Sequence, residues 1–236
     1  MGELIELHTA EDESLEEKQK AARERYAKRL ETMQPDTIRI ALLADNVNDI
    51  ERLRIAIGNR LAAVENVKAG DITPGYEEAK LIHEALDKLE KDAIKVLEKA
   101  VKSHRIGPFV KETTGLGYKT IGRFIASVGE IGDRRSPAQL WAYCGLDVRG
   151  GVAPKRTRGV NCDWNTKART RAIIMVDPII KGKGPYRKVY EDARAKYADA
   201  DISKGHQHNR AKRIVAKAVL KDLWRYLHAL EKAEAV

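Results

Sequence analysis

The strongest constraint on the fold is a pair of apolar repeats between residues 37 and 104. In the first repeat, apolar residues recur at two positions of a seven-residue period over nearly four heptads, and only Arg54 interrupts the pattern. These positions hold Ile40, Val47 and Leu61 in one set and Leu43, Ile50, Ile57 and Val64 in the other. A sustained 3.5-residue period is typical of a coiled coil.

A second repeat follows a predicted turn at Gly70 to Gly75, which contains Pro74. Its apolar positions are Ile82, Leu86, Leu89, Ala93, Val96 and Ala100. Two such seams joined by a short turn predict an antiparallel helical hairpin over residues 36–104. The seams are expected either to pack on each other inside one chain or to pair with a second chain. Because a two-helix hairpin buries little surface alone, we expect a homodimer through residues 37–104.

The remainder of the chain also predicts helices, so we expect an all-α protein. Aromatic residues make up 6% of the chain, and no stretch shows the alternation of a strand. Residues 1–35 predict a charged helix that is capped by Thr9 or Ser14, runs to about Met33 and is ended by Pro35. No run approaches the length of apolar residues that a membrane span needs. With only Cys144 and Cys162, the reducing cytoplasm is the expected location.

Charge divides the chain into two unlike parts. Residues 1–100 carry 16 basic and 22 acidic residues, a net charge of −6, whereas residues 101–236 carry 28 basic and 13 acidic residues, a net charge of +15. We therefore assign residues 1–35 to an N-terminal helix, 36–104 to the hairpin and 105–236 to a compact basic helical domain. A positive surplus of this size predicts a polyanionic partner.

Within the basic part, the run GLGYKT at residues 115–120 predicts a glycine turn that opens a helix. Gly115 and Gly117 are able to take positive φ, and the first N–H groups of the following helix attract a phosphate. Lys119, Thr120 and Arg123 are candidate phosphate ligands, with the two basic side chains expected to be mobile. The pattern is that of a helix-hairpin-helix that grips a nucleic-acid backbone, although an ordinary turn between two helices fits the same residues. Ile121, Phe124, Ile125 and Val128 are expected to face the core, and Gly129 is expected to end the helix.

A glycine-rich basic loop at residues 147–162 provides a second candidate surface. A charge run is often only a solvated face, but this one holds few acidic residues and leads into a helix that Asp163 is expected to cap. The candidate phosphate ligands of the loop are Arg149, Lys155, Arg156 and Arg158. The next helix adds Lys167, Arg169 and Arg171. That helix is expected to end at Pro178.

Other helices are expected from Ser136-Pro137, from Pro185 and over 207–230. The last of these should bury Val215, Val219, Leu223, Tyr226 and Leu230. Arg210, Lys212 and Arg213 are expected near its N-terminus, where cations oppose the helix dipole and an anion relieves the cost. His206 and His208 have no neighbouring Cys/His cluster, so no metal and no cofactor is expected.

Taken in order, these motifs resemble the C-terminal domain of the DEDD-type insertion-sequence transposases, the family of insertion sequence one-ten. The run GLGYKT is similar to the family pattern G-[IL]-G-x-x-[TS]. Residues 130–133 are similar to the next family motif, E-I-G-D, and residues 136–146 to the motif S-x-x-Q-L-x-A-Y-x-G-L. The basic glycine loop, Tyr186 with Tyr190, and His208 with Ala211 and Ala216 follow in the family's order. The resemblance covers about half of the chain and implies nucleic-acid binding and recombination.

Two departures from the family bear on catalysis. The family begins with an RNase H-like domain whose four carboxylates bind divalent metal, and no such pattern precedes the hairpin here. The family also has a nucleophilic serine in the glycine loop, whereas this chain has no serine between Ser136 and Ser203 and reads Arg149-Gly150-Gly151 at that place. Thr157 and Cys162 are candidate substitutes for this serine, and neither has an evident base beside it.

We therefore expect a transposase-derived protein that binds nucleic acid, with duplex DNA favoured over RNA, and has no catalytic residues of its own. One alternative is an active transposase subunit that works with a catalytic partner or a guide RNA. The other is a structural or scaffold protein whose basic face meets another protein.

Overall fold

A computed structural model describes residues 2–67 and 74–234. Over these residues the chain forms ten helices, and the one β-type pairing is an isolated bridge between Arg149 and Val152. The predicted all-α class is confirmed. The helices are α1 (Gly2–Leu30), α2 (Pro35–Val67), α3 (Tyr76–Ser103), α4 (Gly107–Glu112), α5 (Tyr118–Val128), α6 (Pro137–Tyr143), α7 (Thr166–Ile174), α8 (Val176–Lys181), α9 (Pro185–Lys196) and α10 (Lys204–Glu234).

Helices α2 and α3 lie side by side and run in opposite directions. Arg54 of α2 contacts Glu90 of α3 at 2.6 Å, and Gly58 lies against His83, so residue numbers rise along α2 as they fall along α3. Arg54 interrupts the apolar seam in the sequence, yet its charge is neutralised there by the buried Glu90. Most of the turn predicted at 70–75 lies outside the described residues.

The predicted seam of α3 is confirmed at one heptad position and wrong at the other, since Ala100 is buried and Leu86 and Ala93 are half-buried. Ile82, Leu89 and Val96 are 54%, 51% and 50% exposed, although they were expected to face α2. The buried side of α3 carries Ala100 from the predicted seam together with Glu90, Leu97 and Val101. The other half of the predicted seam, Ile82, Leu89 and Val96, forms a separate apolar stripe on the outside of α3.

The hydrophobic core crosses the predicted boundary at residue 104. The first half of α2 and the last half of α3 pack around α5, in one cluster that also includes residues of α6, α7, α8 and α10. Gly122 allows α5 to cross α3 closely, because a Cβ there would lie 3.0 Å from Val101 and 3.1 Å from Leu97. The base of the hairpin is therefore built into the basic part of the chain.

Helix α1 begins and ends earlier than expected. It passes through the predicted caps at Thr9 and Ser14, stops at Leu30, and is followed by α2, of which Pro35 is the first residue. Proline suits that place because the first turn of a helix needs no N–H donor. The described side chains of residues 15–25 are exposed, and the end of α1 is held by an ion pair of 2.9 Å between Arg29 and Asp45.

The later helices follow the sequence signals in part. Ser136 caps α6 as predicted, α9 begins at Pro185, and Gly129 ends α5 with φ 74°. Asn165 rather than Asp163 caps α7, because its side chain accepts the N–H of Ala168. The helix breaks at Met175, so Pro178 lies inside the first turn of α8 and does not end α7.

Helix α10 starts at Lys204, and its buried stripe includes Val215, Val219 and Leu223 as predicted. Leu227 is buried in place of Tyr226 and Leu230, which are half-buried.

Candidate nucleic-acid interface

The glycine turn lies between α4 and α5, where the sequence predicted a turn between two helices. Gly115 has φ 84°, whereas Gly117 has φ −86°, so the expectation of positive φ at Gly117 is wrong. A Cβ on Gly115 would overlap the carbonyl oxygen of Pro178 and lie 2.7 Å from its carbonyl carbon. The requirement for glycine at this position is therefore explained by close packing against α8.

The two cations that follow this turn are engaged within the protein. Arg123 is 6% exposed and lies 2.9 Å from a carboxylate oxygen of Glu51. Lys119 lies 3.6 Å from Glu51 and 3.5 Å from Glu90, while Thr120 is half-buried beside it. The expectation of mobile charge at Arg123 is thus wrong, because the side chain is buried between α2 and α5.

The titration of Glu51 reflects this arrangement. Burial alone would raise the pKa of Glu51, but the hydrogen bond and charge of Arg123 and the charges of Lys119 and Arg171 lower it below its ordinary value. The carboxylate is therefore held ionised between α2, α5 and α7. Lys119 and Arg123 stabilise the attachment of the hairpin to α5.

The basic loop begins with a tight turn. Gly150 and Gly151 both have positive φ, 54° and 79°, and a Cβ on either would meet nothing within 4 Å. Glycine is needed there for backbone conformation alone. Arg149 contacts Asp147 at 2.7 Å and also pairs with Asp163, so this candidate ligand closes the loop on itself.

Four of the predicted cations are exposed and form no ion pair with a described acidic side chain. Lys155, Arg156 and Arg158 lie in the loop, and Lys167 lies in the first turn of α7. Within residues 2–67 and 74–234, no ion pair or side-chain hydrogen bond involves any of the four. We refer to Lys155, Arg156, Arg158 and Lys167 as the basic face.

Two arginines of α7 fasten this face to the body of the protein. Arg169 donates to the carbonyl oxygen of Pro154 at 2.9 Å and lies over the ring of Trp164. Arg171 donates to the side-chain oxygen of Asn48 in α2 at 2.9 Å. Burial and the nearby charge of Arg123 lower the pKa of Arg171, against the smaller opposing effects of Glu51 and Asp45.

The cations of α10 are mostly engaged as well. Lys212 lies 2.8 Å from Asp177, and Arg213 donates to the carbonyl oxygens of Leu146 and Asp147. Arg210 is exposed and lies over the ring of Tyr197. Because α10 begins at Lys204, all three lie beyond its first turn, and the predicted conflict with the helix dipole is wrong.

Some features near the basic face were not predicted. Tyr26, Arg29 and Arg52, from the acidic half of the sequence, line a groove that Arg156 and Lys167 also line. No local motif marks these residues, since their proximity depends on how α1 and α2 pack beside α7.

Chemically reactive groups are sparse around these surfaces. Cys144 is buried, and burial raises its pKa to about 12, in agreement with a packing role. His208 shares a hydrogen bond of 2.8 Å with the hydroxyl of Tyr190. Among the residues that the structure describes, no three His, Cys, Asp or Glu side chains are grouped so as to hold a metal ion.

None of the described helices has the length and apolar character to cross a membrane. No protein-family model matches the chain, and no match is found among curated proteins. The resemblance to the insertion-sequence transposases therefore stays a prediction from the motifs.

Proposed function

We propose that this protein binds the phosphate backbone of nucleic acid, with duplex DNA favoured over RNA, and that the basic face is the contact surface. The observation that carries the proposal is the exposure of Lys155, Arg156, Arg158 and Lys167 without carboxylate partners among the described residues. Exposed cations that are not neutralised within a protein release counterions from a polyanion when they bind it. The basic face groups four such cations in one loop and the first turn of the helix that follows it.

The geometry favours backbone contact over base reading. Arg169 holds the loop from Arg149 to Cys162 against α7, and Arg171 holds α7 against α2. The lysine and arginine side chains of the loop therefore project from a fixed backbone. Four phosphate contacts correspond to a salt dependence of about −3.6 in log K against log salt on duplex DNA. Lys119 and Arg123 contribute stability to the fold rather than affinity.

The proposal includes the absence of strand cleavage by the chain alone. At the place where the resembled family has its serine, Gly150 and Gly151 form a turn with no hydroxyl or thiol. The proposal is therefore a transposase-derived protein of the cytoplasm that binds nucleic acid without cutting it. Release of a cleaved product from supercoiled plasmid or duplex DNA in magnesium would favour the alternative of an active transposase subunit.

We also propose that the protein is a homodimer through the stripe of Ile82, Leu89 and Val96 on α3. The three residues recur every seven positions and are each at least half exposed. In an antiparallel pair centred on Leu89, Ile82 of one copy faces Val96 of the other, so the stripe is complementary to itself. Leu89→Asp is expected to give monomers in sedimentation without loss of helix, and a wild-type protein that is monomeric at tens of micromolar contradicts the dimer.

The experiment for the main proposal is a gel shift with duplex DNA, single-stranded DNA and structured RNA across a series of salt concentrations. We expect binding that is tight at low salt, shows little sequence preference and is weakened steeply by salt. Absence of binding at low salt would refute the proposal. Binding to another protein that survives high salt would instead support a scaffold role.

A further inference from the structure

A groove of about 600 Å³ separates α7 from the end of α1 and the middle of α2. One wall is formed by α7 and the loop before it, with Arg156, Thr166, Lys167, Thr170 and Arg171. The facing wall is formed by α1 and α2 and contains Tyr26, Asn48 and two acidic and two basic side chains. The volume lies within the range of sites that hold one small organic ligand, roughly 300–1,000 Å³.

Charge is distributed unequally between the two walls. On the wall of α1 and α2, Arg29 pairs with Asp45 at 2.9 Å and Arg52 pairs with Asp49 at 3.2 Å. On the α7 wall, no described carboxylate lies within ion-pair distance of Arg156, Lys167 or Arg171, although the charges of Glu51 and Asp45 reach Arg171. The uncompensated positive charge of the groove therefore lies on α7.

Arg171 reinforces this asymmetry. Its side chain is half-buried and donates to the neutral amide of Asn48, while burial and the charge of Arg123 lower its pKa. A guanidinium in this position is stabilised by an anion, because opposite charge at short range favours the charged form. The groove thus offers two exposed cations and one half-buried guanidinium to the same ligand.

The facing wall supplies groups that suit a base. Tyr26 lines the groove with a half-buried ring, and the guanidinium of Arg29 lies over this ring at 5.4 Å from its centroid. Bases stack both on aromatic side chains and on arginine guanidinium planes, with little dependence on sequence. Asp45, Asp49 and Asn48 supply acceptors for the amino groups of a base. A bare phosphate uses only the α7 wall and leaves this surface empty.

We propose that the groove binds one unpaired nucleotide of a nucleic-acid strand, with its phosphate on Arg156, Lys167 and Arg171 and its base against Tyr26. The inference rests on the proposed function, because Arg156 and Lys167 belong both to the groove and to the basic face. It adds that the preferred ligand is a duplex with a single-stranded extension. A groove of this volume is far too small for a duplex, so the basic face holds the paired part.

The test compares a blunt duplex with the same duplex carrying a five-nucleotide extension at either end, by fluorescence anisotropy at fixed salt. The extension is expected to tighten binding by the wild-type protein about tenfold, which is the contribution of roughly one stacked base. Tyr26→Leu is expected to abolish this gain, whereas Tyr26→Phe keeps the ring and retains it. Blunt-duplex affinity stays the same in both variants.

A second variant avoids any effect of Tyr26 on the packing of α1. Thr170 is exposed and its hydroxyl bonds only within α7, so Thr170→Leu fills the groove without disturbing the core. We expect this variant to bind blunt duplex normally and to lose the gain from the extension. A gain that survives Thr170→Leu overturns the inference.

The outcomes separate the two proposals. Absence of duplex binding refutes the proposed function, whereas duplex binding that is equally tight with and without the extension overturns only the groove. Adenosine monophosphate and inorganic phosphate are titrated separately by calorimetry. These titrations distinguish a nucleotide within a strand from a free nucleotide or a free phosphate. Saturable binding of free adenosine monophosphate without any gain from the extension contradicts the strand ligand and assigns the groove to free nucleotides.

Discussion

Lys119 and Arg123 follow one glycine turn, and Lys155, Arg156 and Arg158 follow another, but among the described residues only the first pair forms ion pairs with acidic side chains. Glu51 and Glu90 reach α5 from helices that are distant in sequence, and they neutralise cations that resemble phosphate ligands in the linear pattern. Within residues 2–67 and 74–234, no carboxylate forms an ion pair with Lys155, Arg156 or Arg158 in the loop after Gly151. The comparison shows that position in the fold, rather than the motif, decides whether a cation is available to a ligand.

The largest expected difference between the two regions is the loss of stability when Arg123 is replaced. Arg123→Ala leaves the half-buried Glu51 without its closest partner, and we expect the free energy of unfolding to fall by about 3 kcal/mol. Arg158→Ala, an exposed control in the loop, should change it by less than about 0.5 kcal/mol. Urea unfolding followed by circular dichroism measures both. Equal effects of the two substitutions would show that the buried pair is not structural.

The two glycine turns provide a second contrast. Gly115 and Gly150 both have positive φ, but only Gly115 packs against backbone. Gly150→Ala should cost about 1 kcal/mol of stability from conformation alone, and Gly115→Ala about 2 to 3 kcal/mol because α8 must also move. The same unfolding experiment compares them. If the Gly150 variant were less stable than the Gly115 variant, close packing against α8 would not be the reason for glycine at position 115.

Acid is expected to reduce the stability that the ion pairs of Glu51 with Lys119 and Arg123 provide. The pKa of Glu51 is lowered in the folded protein, so its contribution to stability is fully present above the ordinary glutamate pKa and is lost as the pH falls through the lowered value. We expect the wild-type protein to lose more stability than Glu51→Gln between about pH 5 and pH 3. Urea midpoints measured across this interval provide the check. Parallel pH profiles for the two proteins would disprove a role for Glu51 as the anionic centre.

Local signals in the sequence predicted much of the secondary structure and less of the site. Ser136 and Pro185 mark helix starts, and Gly129 marks a helix end, because each acts through its own backbone or side chain. Asn165 rather than Asp163 is the cap because α7 begins at Thr166, while Asp163 pairs with Arg149 in the loop.

Long-range contacts account for the rest. The rotation of α3 depends on which of two apolar stripes α2 and α5 cover, and the heptad pattern fits both. The pairing of Arg123 with Glu51 joins residues 72 positions apart, so no local motif reports it. The groove beside Tyr26 arises in the same way, from helices that the charge distribution assigns to opposite halves of the chain.

The most direct test of the account is the salt dependence of duplex binding in two charge-matched variants. One replaces Lys155, Arg156 and Arg158 by alanine, and the other replaces Lys18, Lys20 and Lys28, which are exposed on α1. Because both remove three positive charges, they differ only in where those charges lie. We predict that the slope of log K against log salt becomes shallower by about 2.7 in the loop variant and is unchanged in the α1 variant. Equal slopes in the two variants would contradict the assignment of phosphate contact to the basic face.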